Sequence, residues 1–197
     1  PDKKREILAA RKEGKKLLLV APYFEGEQAS QGIARAQKVK ALFTELAPED
    51  IVVEARPVGD CEATKENMLH ELRYKWVTRN DDVIELYDRT AILYRYDSDV
   101  EIVTPAVDAF SKELAGFLKE TGDKIQLTGH TDSDGEDDYN MELGLKRANE
   151  YKDHLMSLGV TEAQIEVSSK GESEPTVPND TPENKQRNRR VTIHIIE

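Results

Sequence analysis

The sequence predicts an α/β protein, an α+β sandwich with helices on one face of a mixed sheet, built as two tandem copies. Three observations predict it. In the C-terminal half, runs of β-forming residues alternate with two amphipathic helical stripes in the order β-α-β-α-β-β. The N-terminal half repeats the middle of this order. Arg35-Ala36 and Arg147-Ala148 stand 112 positions apart in corresponding helices, and Ile51 and Ile165 stand 114 apart at the start of the following strands. The composition of the 197 residues, 38% hydrophobic and 34% charged, supplies a core for one domain or two small ones. The reading divides the chain into residues 1–80 and 81–197, with the boundary near Asn80-Asp81-Asp82.

The first copy is incomplete. Residues 1–14 supply a first helix with no strand before it. Lys16 to Val20 reads as a strand, Ile33 to Phe43 as a helix, Ile51 to Ala55 as a strand, and Leu69 to Val77 as a closing strand on alternation alone. In the second copy, Arg89 to Tyr96 is a strand rich in β-formers. Thr104 caps a helix that Pro105 opens; Val107, Phe110, Leu114, Phe117 and Leu118 recur at helical spacing, and Gly122 stops it. Lys124 to Thr128 is a buried strand. Asp137 or Asp138 caps the next helix, Leu145, Ala148, Tyr151, Leu155 and Leu158 form its apolar stripe, and Gly159 ends it. Ile165 to Val167 is a short strand. Gly171 to Asn188 is polar and carries Pro175, Pro178 and Pro182, so it reads as a long loop. Arg190 to Ile196 closes the chain as a strand with Val191, Ile193 and Ile195 on one face.

A net charge of −11 and a pI of about 5.0 argue against nucleic acid, whose phosphates need a basic face. No apolar run approaches the roughly 20 residues that span a bilayer. The opening Pro-Asp-Lys-Lys-Arg-Glu reads like the interior of a longer protein, so an export signal or lipid anchor is expected upstream. The single Cys61 forms no internal disulfide and fits either redox compartment.

Asp132 and Arg147 carry the chemistry. Asp132 follows an apolar strand in the Gly-containing loop Thr128-Gly-His-Thr-Asp-Ser-Asp-Gly135, and Arg147 lies about two turns into the following helix. An anion and a cation thus converge on one end of a βα unit, which makes a receptor for a zwitterion such as an amino-acid head group. Asn140 precedes Arg147 by seven residues, so both lie on one helical stripe. No nucleophile or paired base stands nearby, so the layout suits binding and not catalysis, with no cofactor.

Blander readings stand beside these. Asp132 also fits a turn aspartate bonded to its own backbone, and Arg147 a solvated helix arginine paired with Glu142 or Glu150. His130 invites a zinc reading, but His70, His154 and His194 hold no ligand spacing with it, which favours a loop-ordering role and no metal. Asp132 to Asp138 has the acidity of a calcium loop without the EF-hand register. Cys61 has no neighbouring His, against a catalytic thiol, and Leu72, Tyr74 and Trp76 read as packing residues.

Thr128-Gly-His-Thr-Asp132, Gly135, Asn140, Leu143, Arg147-Ala148, Gly159-Val160, Ile165, Gly171-Glu172, Pro175, Asn179, Thr181 and Asn188-Arg-Arg-Val191 give residues 89–197 their resemblance to the OmpA-like peptidoglycan-binding domain. OmpA C-termini, peptidoglycan-associated lipoproteins and flagellar stator B subunits of the MotB type share this module. The resemblance implies non-covalent binding of peptidoglycan through the diaminopimelate residue of its stem peptide. In that assignment Asp132 takes an ammonium and Arg147 a carboxylate, Gly129, Thr131 and Asn140 belong to the site, and Asn188 and Arg189 stand at its rim. It further implies a periplasmic location, tethered to the outer membrane through a missing N-terminal segment, and no enzymatic activity. Two departures stand out. Asn184-Lys185 replaces the Gly-Arg that often precedes Asn-Arg-Arg, and Asp134, Glu136, Asp137 and Asp138 make the loop unusually acidic.

In the first copy, Tyr23-Phe24 stands where His-Thr-Asp stands in the second, and Arg35 remains without its carboxylate partner. That copy is expected to bind no peptidoglycan and to serve packing, spacing or contact with other envelope proteins. A hypothesis of another class makes the whole chain an envelope protein–protein scaffold that kept the fold and lost ligand binding. The two separate on Asp132, which only the binder needs.

Overall fold

The computed structural model describes residues 2–59, 68–95 and 103–196, which fall into two units, Pro1–Thr78 and Arg79–Glu197. Cys61 and Tyr96 lie outside the described residues. The first unit contains α1 (Asp2–Ala9), β1 (Lys16–Tyr23), α2 (Ala29–Lys40), β2 (Ile51–Pro57) and β3 (Arg73–Val77). Its sheet has the order β2-β1-β3, with β2 parallel and β3 antiparallel to β1. The run Leu17 to Val20 is apolar throughout because the central strand is buried on both faces. Leu17 and Leu19 pack with Ile7, Phe43, Leu46 and Ile51, while Leu18 and Val20 pack with Val77. Tyr74 and Trp76 are packing residues, and the Trp76 indole donates to Ile7 O at 3.2 Å. α2 begins at Ala29, earlier than the apolar stripe suggests, because Gln28 and Gln31 close a capping box ahead of it. The closing strand begins only at Arg73, after a single turn of 3-10 helix at Met68–Glu71.

The second unit contains β4 (Val83–Glu85), β5 (Thr90–Leu93), α3 (Pro105–Thr121), β6 (Lys124–His130), α4 (Asp137–Ser157), β7 (Ile165–Gly171), α5 (Pro182–Asn188) and β8 (Arg190–Ile196). The five strands run β4-β5-β8-β6-β7, and β6 and β7 are the parallel pair, joined by α4. Register decides which face is apolar. Ile125 lies opposite both Ile165 and Ile195, and Leu127 opposite both Val167 and Ile193. With Val83, Ile92 and Val191, this face meets Val107, Phe110, Leu114 and Leu118 of α3 and Ala148, Tyr151 and Leu155 of α4 in one core. The neighbouring residues Gln126, Thr128 and His130, paired with His194, Thr192 and Arg190, make the other face polar. The mixed sheet with helices on one face is the fold that the sequence predicts.

Local chemistry sets the helix ends. Thr104 Oγ1 accepts from Val107 N, Pro105 opens α3, and Gly122 closes it in the left-handed conformation at φ 77°. The buried hydroxyls of Ser111 and Tyr151, 2.9 Å apart, join α3 to α4.

Several expectations are corrected. Glu136, not Asp137 or Asp138, occupies the cap position of α4. Leu145 is 43% exposed and does not belong to the inward stripe. The inward residue of that turn is Gly144, because β6 and β7 lie too close for a side chain. A Cβ on Gly144 would meet Ser169 Oγ at 2.4 Å, and one on Gly129 would meet Gly144 O at 1.8 Å. Phe117 and Ile195 are likewise exposed. The expected loop from Gly171 to Asn188 contains α5, capped by Thr181, whose side chain accepts from Asn184 N. The hairpin strand β4 is only three residues long, too short for alternation to mark it in the sequence.

Substitution of Gly129 separates packing from backbone freedom. Gly129→Ala drives a methyl into the α4 backbone and is expected to cost the second unit about 3 kcal/mol or more. Gly116→Ala, on an open face of α3, is expected to add about 0.5–1 kcal/mol of stability. Denaturant titration of both variants measures the contrast.

Candidate functional site

β6 delivers Thr131 and Asp132 to one end of the sheet, and α4 brings Asn140 and Arg147 back over that end. Thr131 N donates to Gly171 O at 2.9 Å, which fixes the chain as it leaves β6. Asp132 and Arg147 are each only 4% exposed. The structure therefore excludes the solvated-helix reading of Arg147. Its guanidinium stacks on the Tyr94 ring at 5.0 Å, its Nη1 reaches His130 O at 3.5 Å, and its own carbonyl accepts from Tyr94 OH at 3.0 Å. Burial, above all other causes, pulls the Arg147 guanidinium below its usual pKa; the nearby Arg189 acts in the same direction, and Tyr94 and Asp132 oppose it.

Asp132 is both a turn residue and an ion-pair partner. Its Oδ1 accepts from Asp134 N at 3.1 Å, and its Oδ2 from Arg189 Nη1 at 2.5 Å. Both members of that pair are buried. Arg189 is thus in direct contact with Asp132 and does not merely border it. Arg147 has no carboxylate in ion-pair contact among the described residues.

Three buried polar atoms here lack a hydrogen-bond partner among the described residues: Thr131 Oγ1, Asn140 Oδ1 and Arg147 Nε. Their desolvation costs about 1–3 kcal/mol each unless a ligand or water satisfies them. Asn140 Nδ2 is engaged, donating to Glu172 Oε2 at 2.5 Å.

The remaining sequence-predicted residues serve the site through the backbone. Gly129 has no side chain to offer and lets α4 approach. Asn188 is fully buried: its Oδ1 accepts from Thr176 N, Thr176 Oγ1 and Val177 N, and its Nδ2 donates to Val177 O and Asn179 Oδ1. It clamps the loop ahead of α5. Lys185, at the departure from the Gly-Arg pattern, bonds Asp134 Oδ1 at 2.6 Å and partly offsets the acidic loop. Sequence reasoning missed the roles of Tyr94 and Glu172. The period-2 set Thr90, Ile92, Tyr94 held the signal for Tyr94, because it places the ring on the core side beneath α4.

The buried Asp132–Arg189 pair and the buried Arg147 guanidinium thus stand at one end of a mixed-sheet module, at its βα crossover. Residues 95–189 match the OmpA family, and the chain belongs to that family. It is 35% identical over 106 residues to the peptidoglycan-associated lipoprotein of Pseudomonas aeruginosa, a match covering 53% of this chain and 61% of the relative. It is also 35% identical over 108 residues to outer membrane porin F of Pseudomonas fluorescens, covering 54% of this chain and 33% of the porin. The chain thus spans only part of the curated relatives that it matches. The crystal structure of the peptidoglycan-associated lipoprotein from Burkholderia pseudomallei aligns with a TM-score of 0.51 at 30% identity, over 54% of this chain and 89% of that one.

His130 gives the site's scaffold a pH dependence. Its ring lies on the polar face, with Nε2 and Thr192 Oγ1 3.2 Å apart, and burial followed by the Arg190 charge lowers its pKa from 6.5 to about 4. An unfolded chain takes up the proton first, so this stability is full above pH 6.5 and is lost as pH falls toward about 4. Thermal melts across that window are expected to show a shallower acid loss for His130→Gln than for the parent; an equally steep loss would assign the effect elsewhere.

Proposed function

We infer that residues 79–197 bind peptidoglycan non-covalently through a diaminopimelate-type stem peptide and so anchor an envelope assembly to the cell wall. The observation that carries this reading is Arg147, a guanidinium 4% exposed with no carboxylate in ion-pair contact among the described residues. A buried charge is costly unless it is paired. A planar fork held by Tyr94 and the His130 carbonyl is prepared for a ligand carboxylate. Asp132 takes the ligand's ammonium, sharing its carboxylate with Arg189, and Thr131 Oγ1 and Asn140 Oδ1 meet the adjoining polar groups. Arg189 shares the Asp132 carboxylate from within the site, and Asn188 supports it through the loop that it clamps. The name of one relative, a peptidoglycan-associated lipoprotein, supports attachment to the cell wall, and that of the other, an outer membrane porin, supports an envelope location.

The first unit reads as a degenerate copy. Its strand relation β2-β1-β3 is that of β7-β6-β8, parallel on one side of the central strand and antiparallel on the other. Gly32 and Gly144 hold corresponding places in the helices, each pressed against the strands below. Its role is contact with other envelope proteins or spacing. One observation favours a scaffold reading for the whole chain: Asp132 is already paired with Arg189 and bonded to Asp134 N, as a purely structural aspartate would be.

Calorimetric titration with a diaminopimelate-containing muropeptide decides between them. The parent is expected to bind saturably, and Asp132→Ala and Arg147→Ala each to bind about ten- to a hundred-fold more weakly, the range for losing one charge-assisted contact. A folded parent chain that takes no muropeptide leaves the scaffold.

A further inference from the structure

Arg35 in α2 occupies the place that Arg147 occupies in α4. The two are 112 positions apart, as are Gly32 and Gly144. Each sends Nη1 to a carbonyl at the end of its central strand, Arg35 to Pro22 O at 3.0 Å and Arg147 to His130 O at 3.5 Å. Those carbonyls are 108 positions apart, as are Leu17 and Ile125, which lie opposite Ile51 and Ile165 in matching registers. The same offset sets Phe24 in the place of Asp132, and the Arg35 guanidinium stacks on the Phe24 ring at 5.4 Å.

The difference lies in what meets the fork. Glu27 turns back onto Arg35, with Oε1 accepting from Nη2 at 2.5 Å and Oε2 from Nη1 at 2.6 Å. Oε2 also accepts from Phe24 N at 2.9 Å. The expectation that Arg35 lacks a carboxylate is therefore corrected: its partner comes from the segment between β1 and α2, not from the strand end. This two-pronged pairing is the geometry in which a guanidinium holds a free carboxylate. The hydrogen bonds that Arg35 donates to Glu27 are the first cause of a raised Arg35 pKa.

We propose that the first unit retains the carboxylate-receiving half of the site and that Glu27 is its built-in occupant. The proposal rests on reading that unit as a degenerate copy. A tethered carboxylate acts at an effective concentration that a free one must outcompete, so the unit is closed to wall peptide while Glu27 is present. With Phe24 in place of an aspartate, nothing at that position receives an ammonium. The vacated site therefore takes a simple carboxylate and not a zwitterion.

The test follows the side-chain Nε–Hε signals of Arg35 and Arg147 by NMR in the full chain during titration with sodium acetate, with sodium chloride as the ionic-strength control. In the parent, acetate is expected to leave the Arg35 signal in place. In Glu27→Ala it is expected to move that signal saturably, and chloride is not. An Arg35 signal that ignores acetate in folded Glu27→Ala, or that moves in the parent, overturns the proposal. So does an equal response to chloride. Glu27→Ser provides a second variant, and loss of the fold in both would make the pair a structural support and likewise overturn the retained site. The Arg147 signal reads the second unit independently: its failure to respond counts against the wall-binding reading and leaves the result at Arg35 intact.

Discussion

The approach of α4 to β6 governs the second unit. Gly144 and Gly129 stand so close that a Cβ on Gly129 would fall 1.8 Å from the Gly144 carbonyl oxygen. Arg147 lies one turn further along α4, so this contact sets the height from which its side chain descends. At that height it reaches the His130 carbonyl and rests on Tyr94. Asn140, a turn before Gly144, is brought over the same end of the sheet and bonds Glu172. Gly171 completes the arrangement with φ 50°, passing under Met141 N, 3.1 Å from where a Cβ would sit. Bulk at any of these glycines would lift the helix and carry the polar residues away from one another.

Close packing also concentrates charge. Asp132 and Arg189 neutralise each other in a nearly dry setting, which balances their own desolvation. Arg147 lies nearby, held by an aromatic face and a carbonyl, both of which are weaker partners than a carboxylate. A stable core carries that imbalance: Tyr151, Leu155, Ile125 and Leu127 are fully buried beneath the same helix. In the first unit, Arg35, three residues after Gly32 as Arg147 is after Gly144, is instead met by Glu27 from its own unit. Two helices with one glycine–arginine spacing thus reach opposite electrostatic states, one compensated internally and one not.

The loop ahead of α5 is held by one buried side chain. Asn188 spends its whole amide on Thr176, Val177 and Asn179, and the chain that it holds presents Arg189 to Asp132. Arg190, the next residue, turns the other way and bonds the Glu174 carbonyl at 2.9 Å.

The sequence by itself determined the alternation of strands and helices, the capping of α3 by Thr104 and Pro105, and the convergence of Asp132 and Arg147 at one end of a βα unit. Periodicity and turn chemistry are local, and those features depend on residues close together along the chain. The helix α5 escaped because Thr181-Pro182 opens it with the right signal but no apolar stripe follows. Leu145 is apolar and so reads as part of the inward stripe, but the inward position of that turn is Gly144, where α4 approaches β6 and β7 too closely for a side chain. Only the tertiary structure decided that Asp132 pairs with Arg189 across 57 positions, that Tyr94 lies under Arg147, and that Glu27 fills the fork of Arg35. Each of those contacts depends on how far apart two packed elements sit. Side-chain volume across the whole core sets that distance, and no local pattern encodes it.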